Sequence, residues 1–113
     1  MNDLEMIIAI AKQENVKLSM VGNVDCVDNL YSMSGGEFSI GTPYNPITDL
    51  ALNCMLRDKY EVTVDYNNYD VVIFDANAGE FDSGYIAASS FKEGDIPHAI
   101  LECILKSQGL YNE

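Results

Sequence analysis

The chain has no tryptophan, one histidine, three prolines, and six lysines and arginines against eighteen acids. Each shortage excludes something. With a formal net charge of −12, the surface repels phosphate backbones and anionic headgroups. Direct nucleic-acid binding and membrane binding are therefore not expected. Three cysteines, Cys26, Cys54 and Cys103, form no CxxC pair. An odd number without short spacing reads as reduced thiols, which points to a cytoplasmic protein. No apolar run approaches the ~20 residues of a membrane span. The opening stretch MNDLEMIIAIAKQENVKL puts acids before a short apolar run with no cleavage-site pattern, so it does not read as a secretory signal.

Chemical motifs are scarce too. The stretches GNVDC and SGGE lack the spacings of phosphate-binding loops, and Gly35-Gly36 reads as a turn. FDANAGEFD (74–82) starts like a calcium loop with Asp75 and Asn77. Gly79 then stands where a ligand is needed, Glu80 where glycine is needed and Ile86 where the closing glutamate is needed. The stretch reads instead as a strand connection. The lone histidine, His98, shares a helix face with Glu102, but no Cys/His spacing supplies the further ligands of a zinc site. No nucleophile has a recognisable base and orienter. The expectation is a non-enzymatic protein with no metal and no cofactor.

What the sequence does contain is periodicity. At 113 residues and 48% hydrophobic, residues 1–113 form one domain with one modest core. Residues 2–14 read as a helix capped by Asn2 or Asp3, with Leu4, Ile7, Ile8 and Ala11 on its buried face. A short strand follows at 16–22, and residues 30–41 read as a hairpin about Gly35-Gly36. Residues 42–60 read as a helix with Asn45 as N-cap and Pro46 in first position. Ile47, Leu50, Ala51, Cys54 and Met55 make its apolar stripe. YEVTVDY and YDVVIFD flank an Asn67-Asn68 turn, and FDSGYIAASS (81–90) is a third strand. A last helix starts near Asp95 with Pro97 just inside and ends at Gly109, burying Ile96, Ala99, Ile100, Cys103 and Ile104. The order helix, strands, helix, meander, helix gives an α+β fold. An antiparallel sheet, made of the three-strand meander plus an N-terminal hairpin, is packed by helices in an α-β-α sandwich-like arrangement.

The run from PYNPITDLALNCML through YEVTVDYNNYDVVIFD to DIPHAILECILKSQG resembles the phage ABA sandwich domain over roughly residues 42–109. Tyr44, Thr48 and Asp49 match that family's helix entry, with Asn45-Pro46-Ile47 inserted where the family is tighter. Pro97, Ala99 and Ile100 match its closing helix. The resemblance implies a phage or prophage source and a three-layer fold, and it carries no assigned chemistry.

The richest functional signal is DYNNYD, which places Asp65, Tyr66, Tyr69 and Asp70 at a hairpin tip. Tyrosines beside carboxylates suit an arginine-rich contact. The same residues also suit plain cross-strand aromatic pairing. The functional expectation is a small acidic inhibitor of a host defence protein with a basic surface, acting in the host cytoplasm. The alternative is a small-ligand binder that sequesters a nucleotide signal. It would use backbone N–H groups at the helix entries 45–48 and 95–98, with Asn45, Thr48, Arg57 and His98 as its residues. In so small a chain, its pocket would fall at the subunit interface of a homo-oligomer.

Overall fold

A computed structural model describes residues 2–20, 30–32, 43–74, 84–91 and 95–111. The elements run α1 (Asp3–Gln13), β1 (Leu18–Met20), β2 (Leu30–Ser32), α2 (Leu50–Lys59), β3 (Val62–Asp65), β4 (Asp70–Phe74), β5 (Tyr85–Ser90) and α3 (Ile96–Ser107). This is an α+β fold with two antiparallel sheets, β1-β2 and the meander β3-β4-β5. The Gly35-Gly36 turn, Cys26 and the loop following Phe74 lie outside the described residues.

Helix α1 begins with a capping box. The Asn2 side chain accepts from the Glu5 N–H, and the Glu5 carboxylate accepts from the Asn2 N–H, satisfying two orphan donors together. Its buried residues are Met6, Ile7, Ile10 and Ala11. Ile7 and Ala11 are on the face expected from sequence, whereas Leu4 and Ile8 are only half-buried. The burial is wide because α1 has neighbours on two sides. Met6 and Ile10 join the main core with α3 and the meander. Ile7 and Ala11 join a second cluster with Leu30 and Tyr44, against which Leu18 packs.

Helix α3 is the hub. Ala99, Ile100, Leu101, Cys103, Ile104 and Leu105 are all buried, more than one stripe of a helix can supply. It lies against all three meander strands on one side and against α1 and α2 on the other. The meander buries the face carrying Val62, Val71, Ile73, Ala87 and Ser89, the alternation a half-buried sheet requires. On the other face Thr63, Phe74 and Ile86 are exposed, and no described helix covers them. Three helices and two antiparallel sheets thus pack together as the expected α+β fold, with the β1-β2 pair separate from the meander. Each fully buried Leu or Ile of this core contributes about 1.5–3 kcal/mol.

Helix α2 departs from expectation. Asn45 does not cap it. The Asn45 carboxamide oxygen accepts from the N–H groups of Ile47 and Thr48, closing a separate turn. The helix starts at Leu50 with Asp49 as its N-cap, accepting from the Leu52 N–H. The stripe is turned outward as well. Leu50 and Met55 are 64% and 54% exposed, and Ala51 and Cys54 are exposed. Neither Leu50 nor Cys54 packs on the sheet. Asn53 and Leu56 are buried in their place. On that side the Asn53 amide donates to Pro46 O at 2.8 Å and Pro97 O at 3.2 Å, and Leu56 enters the main core with Leu52 packed against it. A buried amide has to keep its partners, so this pair of bonds holds α2 in that orientation together with the buried Leu56.

Candidate functional site

The tip between β3 and β4 is longer than the Asn67-Asn68 pair. Asp65 and Asp70 are directly paired across the strands, so the loop comprises Tyr66, Asn67, Asn68 and Tyr69. The Asp65 carboxylate closes it, accepting from the Asn67 and Asn68 N–H groups and from the Asn68 side chain at 2.7 Å. Such Asx bonds are what Asp supplies in turns. The Asn68 side chain first, and the two backbone donors with it, hold the Asp65 acidity below the ordinary carboxylate value against a smaller upward pull from desolvation. The left-handed conformation falls on Tyr69, at φ 56°, a residue that adopts it at some cost.

That cost is met by Phe91. Its N–H donates to Tyr69 O at 2.7 Å, and its ring is buried in the main core. The rings of Tyr66 and Tyr69 meet it edge-on, with centroids at 6.2 and 6.1 Å, within the favourable range for T-shaped pairs. Both tyrosines nevertheless stay open to solvent, Tyr66 at 66% and Tyr69 at 58%. The tip thus presents two aromatic side chains held from behind, beside two carboxylates. Asp65 is committed to the loop. The half-buried Asp70 carboxylate makes no hydrogen bond or ion pair among the described residues. Sequence reasoning brought the four residues together and missed Phe91, which is remote along the chain and carries no motif.

The alternative set is dispersed. Asn45 is used by its own turn, and Thr48 is exposed. Arg57 Nε donates to Val62 O at 3.3 Å, towards β3. His98 Nε2 lies 3.1 Å from Asp3 Oδ1. Asn53 does bring the two helix entries together, through Pro46 and Pro97. Yet Asp3, Asp49 and Asp95 stand at the three helix starts, where a phosphate would meet carboxylates. A pocket of about 220 Å³ lined by Ile8, Ala11, Lys12, Val16 and Leu18 includes none of these four residues, and it is below the usual ~300–1,000 Å³ of a small-molecule site.

The remaining reactive groups have structural surroundings. The Cys103 thiol is buried and aimed at Val71 O at 3.7 Å. Burial, with Lys106 opposing, pushes it up to about 11, far from thiolate chemistry. Glu14 Oε2 accepts from Lys59 Nζ and from Tyr60 OH, both at 2.7 Å, joining the ends of α1 and α2. Burial alone would raise the Glu14 carboxyl, but the bonds from Lys59 and Tyr60 and the Lys59 charge carry it down. Among the described residues no group of three His, Cys, Asp or Glu could hold a metal ion, and no helix is long and apolar enough to cross a membrane. No family model, curated protein or solved structure matches this chain, so its function has to be read from its own surface.

Proposed function

We propose that this protein is a small acidic binding protein without catalytic chemistry of its own, whose meander tip engages a partner with a basic surface. The observation that carries the reading is the tip: Tyr66 and Tyr69 exposed yet braced on buried Phe91, beside Asp65 and Asp70. Rigid aromatics lose little freedom on binding and are frequent hot spots. The adjoining carboxylates attract guanidinium groups and can form charge-assisted bonds with them, and the net charge of −12 speeds encounter with a cationic surface. The resemblance to the phage ABA sandwich domain extends the proposal to a phage or prophage protein. Its partner would be a host defence protein met in the host cytoplasm.

The test is a pull-down from host lysate at low and moderate salt, comparing wild type with Asp70→Lys and with Tyr66→Ser/Tyr69→Ser. Asp65 is left intact because its carboxylate holds the loop. The proposal expects a basic partner captured by the wild type, weakened by salt and lost in both variants. A partner held equally by all three proteins removes the tip from the site. A wild type that captures no protein but releases a nucleotide on heating favours ligand sequestration instead.

A further inference from the structure

The meander packs one face on α3 and leaves the other uncovered by any described helix. Across the open face the strand register sets out three rows. The row at the tip pairs Asp65, Asp70 and Ser90. The middle row pairs Thr63, Val72 and Ala88, all short side chains. The third row begins at Phe74, and there the register slips. Ile73 pairs with Ala87, but Phe74 pairs with Tyr85 and not with Ile86. A bulge of this kind sets two residues against one. It brings Tyr85 and Ile86 together beside Phe74, and all three stay more than half exposed. Single apolar residues on a surface need no explanation, but three large ones gathered on an open sheet face mark a contact surface.

The other end of the face tells what covers it. Asp70 alternates with the fully buried Val71, so it belongs to the outer face. Its carboxylate has no hydrogen bond or ion pair among the described residues, and Asp65 opposite adds a second negative charge. Strands β3, β4 and β5 carry no lysine or arginine, so the sheet itself leaves these charges unbalanced. The face is apolar at one end, acidic at the other, and low and uncharged between.

From this pattern we infer that the open face of the meander receives a cationic amphipathic helix of a partner protein. The helix lies along the strands, with an apolar anchor over Phe74, Tyr85 and Ile86 and a lysine or arginine over Asp70. Phe74 and Asp70 are four residues apart on β4, a span of ~13 Å at the rise of a strand. A helix covers it in about eight residues, so anchor and cation stand about two turns apart on one side. A helix also satisfies its own backbone bonds, and asks only side-chain contacts of the middle of a sheet face. A second copy of this chain has no base on this face with which to meet Asp70. The cationic end rests on the acidic reading of the tip, whereas the apolar anchor is independent of it.

The probe is a synthetic leucine-lysine peptide patterned as an amphipathic helix, compared with a scrambled peptide of the same composition. Fluorescence anisotropy is expected to show the patterned peptide binding about tenfold or more tighter than the scrambled one. Phe74→Thr and Ile86→Thr keep a good strand former and remove the anchor, and each is expected to weaken binding about tenfold. Asp70→Asn is expected to weaken it and to flatten its salt dependence. Amide resonances of Val72 and Ala88 are expected to shift on titration. The three positions make no core contact, so thermal unfolding of the variants is expected to stay close to wild type. A wild type that binds neither peptide, or both equally, overturns the inference, as does binding that both threonine variants leave intact. If a lysate partner is lost in Tyr66→Ser/Tyr69→Ser but kept in both threonine variants, this inference falls and the tip reading stands. If the patterned peptide needs Phe74 and Ile86 while Tyr66→Ser/Tyr69→Ser still captures every partner of the wild type, the tip reading falls and this inference stands.

Discussion

Helices α2 and α3 carry apolar residues at the same helical spacing and put them to different uses. The α3 residues Ala99, Ile100, Cys103 and Ile104 point into the core. The α2 residues Leu50, Ala51, Cys54 and Met55 point to solvent. Local sequence treats the two helices alike. What separates them is that α2 has a second inward-facing set, Asn53 and the fully buried Leu56, with Leu52 packed beside them. Asn53 has to satisfy its amide somewhere, and the carbonyls of Pro46 and Pro97 supply the partners. Each bond made adds about 0.5–1.5 kcal/mol, and Leu56, fully buried on the same side of this ten-residue helix with Leu52 packed beside it, adds about 1.5–3 kcal/mol. A stripe tells which residues share a side, and the polar groups between them tell which side is inside.

The comparison breaks most visibly at the core. Leu101→Ala in α3 is expected to cost about 2–5 kcal/mol through lost burial and a residual cavity, whereas Leu50→Ala in α2 should stay within about 0.5 kcal/mol. Urea unfolding of dilute protein measures both, and equal losses would mean that α2 is not turned outward. Next is the clamp. Asn53→Ala should cost about 1–3 kcal/mol by orphaning two carbonyls. Asn53→Asp should do no better, because a carboxylate facing two carbonyl oxygens has nothing to donate. An unchanged midpoint in both would remove Asn53 as the residue that orients α2.

The joint between the ends of α1 and α2 gives a pH signature. Burial first, then the bond to Glu14, pushes Tyr60 up to about 12 from an ordinary 10.0. Burial first, then the Glu14 charge, does the same for Tyr44. A phenol raised in the folded state contributes stability that is fully present below its unfolded value and is lost as pH climbs through the folded one. Stability should therefore decline between about pH 10 and about pH 12. Ultraviolet titration should find two of the seven tyrosines ionising late, and a single common midpoint would contradict the joint. Glu14 works in the opposite direction: its lowered value means that its contribution holds above the ordinary carboxylate range and is lost as acid protonates it. The smallest effect is expected at Tyr44→Phe. The Tyr44 hydroxyl is buried without a hydrogen-bond partner among the described residues, so removing it should leave thermal stability unchanged or slightly raised.

How much of this was legible in the sequence follows the same division. The N-cap of α1, which falls on Asn2 of the two candidates, the pairing of the meander strands and the α3 face of Ala99, Ile100, Cys103 and Ile104 are written in local spacing; Ile96 is only half-buried, and Leu101 and Leu105 are buried in addition because α3 has neighbours on both sides. The orientation of α2 is not, because Asn45 and Asp49 are both good caps, and the inward side is set by tertiary partners, the Pro97 carbonyl for Asn53 and the main core for Leu56. At the tip, the acids and tyrosines were readable from DYNNYD. The four-residue loop was not, because it depends on the Asp65 carboxylate reaching forward and on Phe91 reaching back from the end of β5. An asparagine inside an apolar helix was the available hint, since such residues favour caps and turns unless a buried partner holds them.

The hub position of α3 has a consequence for synthesis on the ribosome. It is the last described element to emerge, yet it supplies the common surface for the meander, α1 and α2. Until it is made, Met6, Ile10, Val62, Val71 and Ile73 have no cover, and the growing chain waits with its future interior exposed. Contacts so distant in sequence also slow folding, and exposed apolar surface in a waiting chain invites misassociation. Sixteen of the eighteen acids precede α3 and are already present on that nascent chain. Their mutual repulsion keeps neighbouring copies apart during the interval, a service to the unfinished protein that the finished one no longer needs.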